Sequence, residues 1–381
     1  MRRTVYNEDH EAFRETVRDF LLKEAVPYAQ EWERQGFVSR DFYRKAGALG
    51  IVGLQVPERY GGGGVESYKF NCVLTEETAR QHLCLGSLRV HMDIVLPYFL
   101  RYADEEQRRR WLPGIASGEL MTAIAMTEPG TGSDLAGIAT TARLDGDYYV
   151  LNGAKTFITG GIGANLVVVV ARTSKGGDRR SGLSLLVVED GMPGFTRGRN
   201  LEKLGLKAQD TAELFFEDVR VPVANLLGEE GQAFSYLTGN LPQERLSIAV
   251  NAVAQSRAAL ELTVGYVKNR KAFGQPVSAF QNTKFVLADL AARIEAAQSL
   301  LDRAIEAHDQ GVLSAADAAK VKLFTTETQG HVMDACLQLH GGYGYMLEYP
   351  IARMFADARV TRIYGGSSEI MKVIIAKSLG L

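Results

Sequence analysis

The segment best equipped for chemistry is Ala125-Met126-Thr127-Glu128-Pro129-Gly130-Thr131-Gly132-Ser133-Asp134-Leu135-Ala136-Gly137. It is a polar loop punctuated by glycine and flanked by apolar segments. Its hydroxyls and exposed backbone N–H groups suit a polar heterocycle or an anion, with a plain tight turn as the other reading. Far downstream, Gln338-Leu339-His340-Gly341-Gly342-Tyr343-Gly344-Tyr345-Met346-Leu347-Glu348-Tyr349-Pro350 precedes Arg353 and Asp357. There, glycines interrupt a helical pattern and let backbone approach a ligand or another chain, or simply turn between helices. Other chemistries are excluded. The chain has no Walker A loop, HExxH or GxSxG. Gly161-Ile162-Gly163 is followed by Leu166 where a dinucleotide fingerprint needs a third glycine. His91-Met92-Asp93 is not at metal-ligand spacing and reads as a packed or surface histidine. Cys72, Cys84 and Cys336 form no CxxC pair and read as small hydrophobes.

The elements that position these segments change texture twice along the 381 residues. Residues 8 to about 120 read helical, with Ala12, Phe13, Val17, Phe20 and Leu21 at helical spacing and Val26-Pro27 as a stop. Asp104-Glu105-Glu106 before Arg108-Arg109-Arg110 predicts a short solvated helix. From about 121 to 228 the period becomes two. Tyr148 to Gly153 reads as a strand entering a turn, and Asn165–Arg172, Ser184–Val188 and Glu213–Val219 read as strands. From about 229 helices return. Pro242 is expected at the start of a long one ending near Arg270, with others around 278–310, 314–340, 350–358 and from about 367. Three domains follow: 1–120 helical, 121–228 a β-domain of short antiparallel strands, and 229–381 helical.

Composition narrows the function. Forty-three Lys+Arg against 45 Asp+Glu leave a net charge of −2, without the basic footprint of a nucleic-acid binder. At 46% hydrophobic and 23% charged residues, the chain reads as globular rather than disordered. The longest aliphatic run, Leu166 to Ala171, is too short for a membrane span, and the N-terminus has no secretory apolar core. A cytoplasmic compartment is expected.

Together the two glycine-rich motifs, their separation and the α-β-α order resemble the acyl-CoA dehydrogenase family, over about residues 8 to 379. Thr131 is one departure, at a place where the family usually has Gly, Ser, Ala or Asn. The resemblance implies a helical N-terminal domain, a middle antiparallel β-barrel-like domain and a C-terminal four-helix bundle. It also implies FAD and an acyl-CoA substrate: a carboxylate takes the α-proton and the flavin takes the β-hydride. By the same resemblance, Met126, Thr127, Ser133, Phe157 and Thr159 lie at the flavin, with Phe157 where the family commonly has Trp; Ser133 also touches the thioester. Arg270, Phe273, Gln281, Gln338 and Gly342 hold the dinucleotide half across a subunit interface, and Ser367 and Glu369 lie at the adenosine end. A homotetramer built as a dimer of dimers, and an electron-transfer flavoprotein as acceptor, are implied likewise.

Many family members carry the base as Glu directly after a Tyr near the C-terminus. Here Tyr364 is followed by Gly365, which has no proton acceptor. Long-chain and isovaleryl-type members instead have a Glu on the first turn of the long helix, and Glu244 stands there in Leu241-Pro242-Gln243-Glu244-Arg245. The missing carboxylate at 365 coupled to the one at 244 makes Glu244 the expected base; complementing the helix dipole is its alternative. Substrate contacts are expected from Arg245, Tyr364 and the Gly365 N–H, and Gly86, Ser87 and Leu88 are candidates for the tail pocket. Tyr364 argues for an unbranched chain near C3. The rivals are a same-fold flavoenzyme acting on a carrier-protein thioester or as an oxidase or monooxygenase, and a non-catalytic flavin-binding partner.

Overall fold

The computed structural model describes residues 3–174 and 179–381. The N-terminal helices are α1 (Glu8–Glu24), α2 (Ala29–Gln35), α3 (Arg40–Ala48), α4 (Lys69–Arg80), α5 (Leu96–Tyr102) and α6 (Glu105–Ala116). Their starts follow from capping side chains. Asn7 and Asp104 accept from the third residue's N–H in reciprocal capping boxes, and Ser39 caps α3. A turn of π-helix, Val90–Val95, runs directly into α5. The acid-then-base segment is solvated along its charged face, as its sequence predicts, with Asp104, Glu105, Glu106, Arg109 and Arg110 exposed. Gln107, Trp111, Leu112, Ile115 and Ala116 bury the other face of α6, and Arg108 donates to the Leu100 carbonyl.

The strands are β1 (Thr122–Ala125), β2 (Thr141–Asp145), β3 (Tyr148–Thr159), β4 (Leu166–Arg172), β5 (Leu183–Glu189), β6 (Phe195–Asn200), β7 (Thr211–Pro222) and β8 (Leu226–Leu227). They form one sheet in the order β6-β7-β3-β2-β4-β5-β8, with β1 added on β4. Pairing is mostly antiparallel, but β1 and the end of β2 run parallel to β4. The strand expected to turn at Gly153 does not turn. β3 continues to Thr159 through a bulge, where Gly153 takes φ +148 and its missing Cβ leaves room for Thr140. β4 separates two cores by its alternation. Leu166, Val168 and Val170 face Val95, Phe99, Trp111 and Leu237 of the helices, whereas Val167, Val169 and Ala171 join the β-domain interior.

The C-terminal bundle contains α7 (Ala233–Asn269), α8 (Gln281–Asp309), α9 (Ala315–His340), α10 (Pro350–Ala358) and α11 (Ser368–Ser378). A small hairpin, β9 (Lys271–Ala272) with β10 (Gln275–Pro276), links α7 to α8. Two apolar clusters hold the bundle, one around Leu246, Val250, Val253 and Leu301, the other around Ile294, Val332, Met333 and Ile351. Helix α7 begins nine residues before Pro242, which lies inside it. Burial of Ala233 and Leu237 against the N-terminal helices carries the helix through the proline, overriding the local signal. Glu244 therefore sits mid-helix. Among the described residues, no helix is long and apolar enough to cross a membrane, and no cluster of His, Cys, Asp or Glu could hold a metal. The three cysteines are free thiols.

Candidate active site

Glu244 lies where α7 passes α5 and the 363–367 loop. It is 5% exposed, and Tyr98 Oη donates to its Oε1 at 3.3 Å. Burial pushes its carboxyl up to about 7, while the Tyr98 hydrogen bond and the Arg245 charge pull the other way. Tyr98, itself buried, is pushed well above the usual tyrosine range and keeps its proton to donate. The mid-helix position removes the dipole alternative for Glu244, because that effect falls off within the first turn. Gly365 approaches the same face of α7. It has φ +64, and a Cβ there would meet Ile248 Cδ1 at 2.3 Å; Ile248 is one turn after Glu244. Arg245 Nε lies 3.5 Å from the Gly365 carbonyl.

A buried polar network holds this stretch of α7. Gln243 Nε2 donates to the Asp93 main-chain oxygen at 2.8 Å, and Ser247 Oγ to Asp93 Oδ2 at 2.5 Å. Tyr68 and Asn71 also donate to the Asp93 carboxylate. The residues on either side of Glu244 are thus tied to the π-helical turn, a feature frequent at functional sites. Arg89 joins the network through Ser247 Oγ and Tyr364 Oη. His91, wholly buried, uses Nδ1 to accept the Thr122 N–H and is driven to about 4 by burial, so it is a neutral packed histidine.

Of the residues expected at the flavin, Met126, Thr127 and Ser133 lie on the segment after β1, and Phe157 and Thr159 at the end of β3. Thr156 N donates to the Thr127 carbonyl at 2.9 Å, joining the two segments. Behind them Lys155, fully buried, donates to the Met126 carbonyl at 3.1 Å and to Glu128 Oε1 at 2.9 Å. Glu128 also accepts from the Ala139 and Thr140 N–H groups; against its burial, these bonds hold it below the usual carboxylate range. Phe157 is no core residue: it stands at φ +59 in a second irregularity of β3 with 68% of its surface exposed. Thr159 Oγ1 accepts from Gln209 Nε2 at 3.2 Å. Among the described residues, the Thr127 and Ser133 hydroxyls have no hydrogen-bond partner in the chain, and Gly130 and Gly132 face open space.

A separate cleft of about 530 Å³ brings together Arg270, Gln338 and Gly342, with Tyr266 and Tyr343 beside them. Gln281 and Phe273 do not line it, and Phe273 projects from the hairpin with 96% of its surface exposed. None of the 126–133 or 157–159 residues lines it either. Ser367 has a structural task that its sequence position did not suggest: its hydroxyl caps α11. Glu369 is exposed on the first turn of that helix. Leu88 packs in the N-terminal core with Met92 and Met121, while Ser87 lies against Gly160. Sequence reading missed Tyr98, Arg89, Asp93, Lys155 and Lys322. No local pattern marks them, since their partners lie on distant elements.

The residues present fit FAD. An exposed aromatic face, unpartnered hydroxyls and open glycine backbone suit a flavin ring, and an Arg in a cleft suits a pyrophosphate. Comparison with known proteins gives the same family. Models of the N-terminal, middle and C-terminal domains of acyl-CoA dehydrogenase match residues 7–119, 123–219 and 231–380. The mitochondrial long-chain specific acyl-CoA dehydrogenase of Sus scrofa is 47% identical over 380 residues, covering 99% of this chain and 88% of its own. The crystal structure of acyl-CoA dehydrogenase from Geobacillus kaustophilus superimposes with TM-score 0.98 at 48% identity, covering 100% of both chains. The acyl-CoA dehydrogenase complexed with FAD from Bacillus anthracis superimposes at 0.90 with 31% identity, over 98% of this chain and 68% of that one.

Proposed function

The chain belongs to the acyl-CoA dehydrogenase family, FAD-dependent oxidoreductases, and on that premise we propose that it converts straight medium- or long-chain acyl-CoA to trans-2-enoyl-CoA with Glu244 as the base. One observation carries the assignment: the buried Glu244 carboxyl is raised to about 7 and stands one helical turn before Ile248, against which Gly365 packs with no side chain of its own. A base poised near neutrality balances availability against basicity. Glu244 takes the α-proton, and the Gly365 N–H donates to the thioester oxygen on which charge develops. Arg245 offsets the charge of the ionised base. FAD, when bound, supplies the two-electron acceptor for the β-hydrogen.

Met126, Thr127, Ser133, Phe157 and Thr159 would hold the ring, Arg270, Phe273, Gln281, Gln338 and Gly342 the dinucleotide half, and Ser367 and Glu369 the adenosine end. The long-chain relative and Tyr364, pinned by Arg89 beside Gly365, support an unbranched long acyl group. A homotetramer, with electrons passing to an electron-transfer flavoprotein, completes the reading. Neither the carrier-protein, oxidase or monooxygenase alternative nor the non-catalytic one is favoured.

The test is Glu244→Gln in the holoenzyme, mixed anaerobically with acyl-CoA. Flavin reduction is expected to slow by about 10²–10⁴-fold while FAD content and acyl-CoA binding persist. Reduction at the parental rate would remove Glu244 from the chemistry.

A further inference from the structure

Three cations, Arg245 and Lys322 buried and Arg89 half-buried, grip three consecutive residues beside the base. Arg89 Nη2 donates to Tyr364 Oη at 3.0 Å, Arg245 Nε lies 3.5 Å from the Gly365 carbonyl, and Lys322 Nζ donates to the Gly366 carbonyl at 2.7 Å. They come from three elements: the residue before the π-helical turn, α7 and α9. Arg89 has Asp93 in its network and Arg245 adjoins Glu244. Lys322 is different. It is 0% exposed, the Gly366 carbonyl is its side chain's one hydrogen-bond partner among the described residues, and no carboxylate there is within ion-pair distance. The charges facing it are Arg245, Glu327 and Glu369. A buried ammonium on a single carbonyl is a costly way to fill space that an apolar side chain would fill.

The segment it holds needs holding. Gly365 and Gly366 take φ +64 and +95, so the chain here has no helix or strand geometry of its own. Helix α9 grips both flanks as well, with Gln329 accepting from Thr361 and Glu327 accepting from Ser368. The Lys322 contact lies between these, next to the glycine pair. Turning either glycine peptide would cost Gly365 its contact with Arg245 or Gly366 its bond to Lys322.

We infer that Lys322 is a positioning residue for α-proton removal: by holding the Gly366 carbonyl it keeps the Gly365 N–H aimed at the thioester oxygen. This rests on the reading of Glu244 as base and Gly365 as donor. A misaimed donor would leave substrate binding nearly intact and weaken stabilisation of the enolate oxygen specifically.

The experiment uses holoenzyme and 3-thiadecanoyl-CoA, whose sulfur replaces C3 so that it can lose an α-proton but has no β-hydrogen to give. Its bound enolate is followed by long-wavelength absorbance against the flavin across pH. In Lys322→Met, the midpoint for deprotonation is expected to rise by at least one pH unit, about tenfold less enolate at fixed pH, with Kd within threefold. Lys322→Arg is expected to restore most of it. Lys322→Leu, which likewise removes the donor, serves if the Met variant does not fold. A parental midpoint in the Met or Leu variant overturns the inference. So does a parallel loss of FAD, ligand binding and thermal stability that Arg fails to reverse. Glu244→Gln separates the two readings, because it should slow the appearance of the band by about 10²–10⁴-fold. If it does not, the base assignment fails; if it does and Lys322→Met leaves the midpoint unmoved, the positioning inference alone fails.

Discussion

At the scale of single residues, the proposed chemistry turns on what burial does to one carboxyl. The protonated form of Glu244 is favoured in the folded chain, so activity requiring the base should rise with pH through about 7. Tyr98 opposes that shift by donating to the ionised form. Tyr98→Phe should therefore move the acidic limb of kcat/KM to higher pH by about one unit, read from a pH–rate profile. An unmoved limb would show that the 3.3 Å contact does not tune the base. The same shift makes a statement about stability. A carboxyl whose folded value is raised favours the native state below its unfolded value of about 4.5 and loses that contribution as pH rises through about 7. Glu244→Gln should then be more stable than the parent at pH 8, by up to roughly 3 kcal/mol at 1.36 kcal/mol per unit, and indistinguishable at pH 4. Thermal melts at the two pH values check this. A helix-capping carboxylate would give the opposite sign at pH 8, which is why the position of Glu244 in the third turn or later matters.

At the scale of elements, the runs of Val and Leu in β4 and β5 and the helical periods of α8 and α9 were legible, because a single rule of burial sets each of them. Pro242 and Gly153 misled for a shared reason. Pro at a helix start and Asn-Gly at a turn are local preferences, and in each case distant contacts outweighed them. In β3, Asn152 spans the bulge with its side chain: its amide donates to Asp218 Oδ1 at 2.9 Å and its oxygen accepts the Asp218 N–H at 2.9 Å, so the strand continues. The site was legible only where motifs are continuous. Tyr98 and Glu244 are 146 residues apart, and Arg89 and Tyr364 are 275 apart, spacings that no local period encodes. The meeting of α7 with the 363–367 loop yields a further test. Placing the base at 365 in a Glu244→Gln background should recover little activity by itself, since Gly365→Glu must adopt φ +64 and displace Ile248 Cδ1. Ile248→Val deletes that one carbon, at a cost of about 0.5–1.5 kcal/mol. The triple variant should outperform the double one in flavin reduction by acyl-CoA. Equal rates would mean that Gly365 and Glu244 do not face the same α-carbon.

At the scale of the whole molecule, the chain displays apolar side chains that the proposed assembly of several copies would cover. Phe273 is 96% exposed, Tyr345 83%, Leu347 68% and Phe285 64%. They lie on the β9–β10 hairpin, on α8 and on the glycine-rich turn after α9, around the segments that carry Arg270 and Gln338. Large exposed aromatics on neighbouring elements are the mark of an association surface. The cleft of Arg270, Gln338 and Gly342 is lined by none of the residues expected at the flavin ring, which fits a cofactor shared between two copies of the chain. If so, assembly and cofactor retention are linked: whatever binds only the assembled form stabilises it by mass action. Phe273→Asp places a charge where a partner's surface would bury it, and a buried unpaired charge in an interface costs several kcal/mol. The expected result is a lighter species in sedimentation velocity together with a lower flavin-to-protein absorbance ratio, both recovering in part when excess FAD is added. Arg270→Met should lower the flavin ratio first and the assembly second, because on the proposed reading it removes a phosphate contact rather than an interface contact. A Phe273→Asp protein that sediments as a flavin-loaded monomer would break the link, since the dinucleotide would then be held within one chain.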